Sequence, residues 1–104
     1  MYKFTDYWWI FKKYENLKPE GERPFLYWVP YFYSVIKYMV DNNYSTGQIL
    51  TLCNAEIYRS VNDRRTRNHL YEDLERFIEE YIAEKEKRET EAVIIQEEEE
   101  LFIV

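Results

Sequence analysis

One cysteine, one histidine, two glycines and three prolines are spread through 104 residues, and each shortage excludes a class of protein. With Cys53 alone, no intrachain disulfide can form, so nothing points to an oxidising compartment and a cytoplasmic protein is expected. Cys53 and His69 together fall short of the four ligands a structural zinc ion takes, so no metal site and no cofactor is expected in the monomer. Gly21 and Gly47 are too few and too far apart to build a phosphate-cradling loop. The uncharged stretch of residues 24–36 contains Pro24 and Pro30 and is shorter than the roughly 20 apolar residues of a membrane-crossing helix. No membrane association is expected. Met1 runs straight into aromatic-rich sequence, without the basic segment and plain apolar run of a cleavable leader.

Aromatic rings are abundant instead. Hydrophobic residues make up 46% of the chain and aromatic ones 19%, far too many for a disordered protein. Each ring that is fully buried contributes roughly 1.5–3 kcal/mol. Eleven Tyr, six Phe and three Trp exceed what so small a core can hide, so some Tyr must lie outside, at an interface or shielding the core's rim. The length fits one domain, residues 1–104, near the size where a core is adequate but dimerisation would help.

Charge is distributed unevenly. Residues 1–58 carry six acids and six bases, residues 59–71 carry four Arg against Asp63 alone, and residues 72–104 carry thirteen acids against four bases. The net charge of −6 therefore averages a neutral half, a basic island of +3 and an acidic arm of −9. Arg59, Arg64, Arg65 and Arg67, with Asn68 and His69, make up that island.

Apolar spacing predicts a mainly helical chain. Thr5 and Asp6 can start a first helix over residues 5–17, with Tyr7, Ile10, Phe11, Tyr14 and Leu17 on one stripe. Residues 18–24, with Pro19, Gly21 and Pro24, form an exposed loop. Pro30 can open a second, central helix to about Asp41 that buries Phe32, Val35, Ile36, Met39 and Val40. Ser45 or Thr46 can cap a short third helix ending near Asn54. After a connection over residues 55–60, a fourth helix is expected from Val61 or Asn62 to about Arg88. Val93, Ile94 and Ile95, then Leu101, Phe102, Ile103 and Val104, read as two strands of a C-terminal β-hairpin. Continuous helix is the rival, because Glu97 to Glu100 are helix formers and the connection lacks a turn residue. The expected organisation is thus an N-terminal helix and loop (1–23), a helical core (24–90) and a hairpin (91–104), an α+β arrangement of four helices.

Tyr44-Ser45-Thr46-Gly47-Gln48-Ile49-Leu50 and Thr66-Arg67-Asn68-His69-Leu70 resemble the second helix and the recognition helix of winged helix-turn-helix regulators, over residues 30–104. The resemblance implies a winged-helix-like fold and a DNA-binding transcriptional regulator, non-enzymatic, with Arg64, Arg65 and Arg67 facing DNA and Arg59 and Asn68 in support. It also implies a homodimer, in which Phe77, Ile78, Tyr81 and Ile82 of the overlong fourth helix meet a second subunit. The chain departs from the family in a longer link between the two helices and in an acidic tip at the would-be wing. In composition it resembles small orphan proteins of viruses that infect hyperthermophilic archaea, which would place it in a host cytoplasm.

The Arg island has a second explanation. Cations at a helix start oppose its dipole, which favours a functional role, but Arg64 and Arg65 can also pair with Asp63, Glu72 or Asp73. The acidic arm gives the alternative function: a protein-interaction module or inhibitor that presents an acidic helix and an aromatic surface to a basic protein partner. Catalysis finds no support, since no carboxylate cluster fits a nuclease pattern and Cys53 falls on an apolar face.

Overall fold

The computed structural model describes residues 7–103, with side chains described for residues 7–91. Four helices follow one another: α1 (Trp8–Lys13), α2 (Phe25–Asp41), α3 (Thr46–Ser60) and α4 (Arg64–Ile103), with a 3-10 turn (Glu15–Leu17) after α1. No strand occurs among the described residues.

The first helix is shorter than its apolar stripe suggests. Ile10 and Phe11 are buried, whereas Leu17 is left largely outside by the 3-10 turn. The expected start at Thr5 and Asp6 lies outside the described residues.

α2 begins five residues before the expected Pro30 and runs through it. Proline inside a helix forfeits a hydrogen bond and crowds the preceding turn. Burial outweighs that cost: Trp28 is covered, and Phe25 stacks on Phe77 with ring centroids 6.5 Å apart. Tyr31 and Phe32 lie edge to face at 5.0 Å, and Val35, Ile36 and Met39 complete the central stripe. The helix stops at Asn43, which takes φ 64, with the Tyr44 and Asn43 N–H groups donating back to the Met39 and Val40 carbonyls. Asn tolerates this left-handed position better than most residues.

α3 starts where the sequence says it should. Ser45 Oγ accepts from the Gln48 N–H while Gln48 returns a bond to the Ser45 N–H, a capping box. It then continues to Ser60 rather than ending near Asn54. The stripe that holds it, Ile49, Leu52, Cys53 and Ile57, passes through a fully buried Glu56. A carboxylate at a core position is what made the apolar periodicity look finished.

α4 corrects the largest expectation. Residues 93–103, expected as a β-hairpin, continue the helix that begins at Arg64, and the last residue of the expected second strand, Val104, lies outside the described residues. The fold is therefore all-helical, neither α+β nor winged-helix-like. The physical reason is the absence of any Gly, Pro or Asn after Asn68. With four consecutive Glu where a turn was required, helix propensity prevails over two short β-branched runs.

Forty residues at about 1.5 Å each span about 60 Å, which matches the 61 Å long axis of the molecule. α2 packs chiefly on α4, and α3 covers the same helix from beside it. Leu70, Leu74, Phe77, Ile78 and Tyr81 supply the α4 side of the core. The contact ends in a polar clasp: the Tyr81 hydroxyl lies 3.0 Å from both Asp41 carboxylate oxygens, Arg88 donates to that hydroxyl at 2.9 Å, and Lys85 donates to the Val40 carbonyl. Phe77, Ile78 and Tyr81, expected to meet a second subunit, are thus committed to the chain's own core. Ile82 is half-buried beside them.

Candidate interaction face

Val61, Asn62 and Asp63 form a three-residue link between α3 and α4, much tighter than the sequence suggested because α3 extends to Ser60. Val61 is buried and anchors it. Asp63 then caps α4: its carboxylate accepts the Thr66 N–H at 2.9 Å and the Thr66 hydroxyl at 2.8 Å. Those two bonds, the hydroxyl first, hold the Asp63 carboxyl below the usual carboxylate range, with Arg65 and Arg67 adding a favourable field. The Thr66 hydroxyl also lies 3.5 Å from the Arg23 carbonyl, which ties the loop over residues 18–24 to the first turn of α4.

The Arg island is divided by this geometry. Arg64 and Arg65 are exposed on α4 with Asn68 and His69, bordering one shallow depression. Arg67 is rotated to the other flank, its guanidinium 5.7 Å from the Tyr58 ring, where Tyr71 and Leu50 border a different depression. Arg59 belongs to α3 and to another structure altogether. It bonds the buried Glu56 at 3.2 Å and lies over the Trp8 ring at 3.7 Å. Of five residues expected to meet nucleic acid, the fold groups three.

Glu56 is the hub of that other structure. Lys18 reaches it at 3.4 Å, Ser60 donates to it, and the Tyr31 hydroxyl bonds it as well. Burial, and next the Glu56 charge, push Tyr31 above the ordinary tyrosine range and Cys53 above the ordinary thiol range. Cys53 is therefore a buried thiol rather than a nucleophile, and His69 stands outside on α4 with its ring against Phe25 at 5.7 Å. Among the described residues no three His, Cys, Asp or Glu side chains converge as metal ligands, and no helix is long and apolar enough to cross a membrane.

Sequence inspection missed the other wall of the depression beside Arg65. The start of α2 supplies Arg23, Phe25 and Leu26, opposite Arg65, Thr66 and His69, and between them runs a groove of about 500 Å³. Leu26 is 74% exposed and the adjoining Tyr27 58% exposed, with the Arg23 guanidinium 5.8 Å from the Tyr27 ring. No side chain caps the start of α2, so the positive end of its dipole adds potential to this wall. Arg23, Arg64 and Arg65 form no ion pair among the described residues; Asp73, an expected partner, pairs with Arg76 at 3.0 Å. Three carboxylates border the same face: Asp63, engaged as a cap, with Glu22 and Glu72 toward its ends. The only sequence signal for this wall was Pro24-Phe25-Leu26-Tyr27, an uncharged run following a loop.

Along residues 72–91, α4 carries Glu75, Glu79, Glu86, Glu89 and Glu91 exposed. Comparison with protein-family models, with curated proteins and with solved structures found no match.

Proposed function

We propose that the protein is a non-enzymatic protein-interaction module whose groove between the starts of α2 and α4 receives an acidic segment that also carries apolar side chains. The observation behind this is the exposure of Leu26 and Tyr27 directly beside guanidinium groups that lack ion-pair partners among the described residues. Exposed apolar side chains ringed by charge mark interaction sites, and Arg and Tyr are favoured there. A duplex would meet the guanidiniums but leave Leu26 idle. The buried, unoxidised Cys53 fits a reducing cytoplasm.

Titration of the full chain with acidic peptides that end in aliphatic or aromatic residues tests this, read by amide shifts. Shifts at Arg23, Leu26, Arg65 and His69 are expected, and Leu26→Ser with Arg65→Glu should abolish them. Equal binding of scrambled basic peptides would refute the proposal.

DNA contact is the second reading, favoured by the three-residue link and by Arg64, Arg65 and Asn68 exposed on the first turns of α4. A salt-titrated assay with Arg64→Ala/Arg65→Ala/Arg67→Ala separates the two. Loss of tight binding with a shallower salt slope would support DNA, and no affinity of the wild type at low salt would eliminate it.

A further inference from the structure

The groove prefers a segment of a kind that this chain itself contains. Glu97, Glu98, Glu99 and Glu100 are followed at once by Leu101, Phe102, Ile103 and Val104, four negative charges and then four apolar residues. The groove offers the complementary pair, Arg23 and Arg65, without ion-pair partners among the described residues, beside Phe25 and the exposed Leu26, with Arg64 on the adjoining depression. Complementarity of this kind steers association and fixes register more than it adds raw affinity.

Geometry rules out docking within one molecule. The groove lies at the beginning of α4 and the acidic segment at its end, and the helix is unbroken between them. From Arg65 to Leu101 the rise of 36 residues is about 54 Å. α2 and α3 have 17 and 15 residues, so they cover at most about 25 Å of that length. The clasp of Tyr81, Lys85 and Arg88 on the end of α2 marks where that cover stops. The end of α4 is held away from its own groove by the stiffness of the helix, and is presented outward.

We propose that residues 97–104 of a second copy of the chain occupy this groove, resting on the interaction-module reading above and naming its partner. If both copies exchange their ends, the contact is the same patch on each subunit and closes on a two-fold axis. The expected homodimer is then held by an exchange of helix ends and not by Phe77, Ile78 and Tyr81, which the core already uses.

Two charge reversals test it, both confined to surface or terminal positions. Arg64→Glu/Arg65→Glu alters the groove, and Glu97→Lys/Glu98→Lys/Glu99→Lys/Glu100→Lys alters the segment. Sedimentation equilibrium of the wild-type chain at low salt should show a concentration-dependent dimer, and each variant alone should associate roughly tenfold more weakly or worse. Circular dichroism should show unchanged helicity in both. An equimolar mixture should recover association, because each variant's segment then meets a groove of opposite charge. A wild-type chain that stays monomeric, variants that associate as well as the wild type, or a mixture that stays monomeric would each overturn the proposal. Unrelated acidic peptides that bind the groove of a monomeric wild type would sink the exchange alone and leave the interaction module standing.

Discussion

Arg59 and the pair Arg64 and Arg65 lie within one short stretch of sequence, yet the fold gives them opposite work. Arg59, in the last turn of α3, keeps nearly half of its side chain in water but pairs with a carboxylate that has no access to water and packs over an indole ring. Arg64 and Arg65 begin α4 facing outward, without ion-pair partners among the described residues, beside an apolar patch. What separates them is one buried valine and a three-residue link. The charge of a segment therefore says little about its role until the register of each helix is known.

The largest test of this contrast removes the cations from the buried side. Lys18→Met with Arg59→Met leaves Glu56 enclosed with only hydroxyl donors, and should cost about 3 kcal/mol in urea unfolding with an unchanged slope. That figure is at the low end for broken buried pairs, since Lys18 and Arg59 both keep part of their side chains in water. Adding Glu56→Leu should return most of it, because an apolar replacement needs no counter-charge.

The cap between the two sides comes next. The folded Asp63 carboxyl ionises below its unfolded value, so its contribution is present above the ordinary carboxylate range and is lost as pH falls through the folded value. Asp63→Asn should therefore lower the melting temperature at neutral pH, and the gap from wild type should close as the solution is acidified. A gap that persists in acid would mean that the capping geometry matters and the charge does not.

The smallest stability effect belongs to the exposed pair. Arg64→Ala/Arg65→Ala should change unfolding free energy by no more than about 0.5 kcal/mol, as surface substitutions usually do, while removing groove binding in the peptide titration. A large loss of stability would place these side chains in the structural framework with Arg59 and erase the contrast.

Much of the fold was legible because helical periodicity is a local property. The stripe through Phe32 to Val40, the end of α2 near Asp41, the Ser45 cap and the existence of a long fourth helix could all be read from spacing and from residue chemistry. The boundaries failed where tertiary burial overrode local preference. Pro30 sits inside α2 because Phe25 and Trp28 are worth more packed than a proline costs, and α3 outlasts Asn54 because Glu56 is paid back by two cations, a serine and a tyrosine. The C-terminal error had another origin: β-branched runs were weighed above the missing turn residue, although the local information favouring helix was already present.

For the candidate site, Arg64, Arg65 and Asn68 were visible as an unusual cluster of cations and amide at a helix start. Arg23, Phe25 and Leu26 were not, since their importance depends on α2 meeting α4 rather than on any pattern within residues 22–27. Sequence by itself determined that the chain is mainly helical, rich in rings, and divided into neutral, basic and acidic parts, because composition and period act over a few residues. Only the tertiary structure decided which arginine serves a buried carboxylate and which ones border a groove, and that the acidic end stands about 54 Å from the basic groove. Those outcomes depend on how helices rotate and stack against one another, and on the stiffness of an unbroken α4.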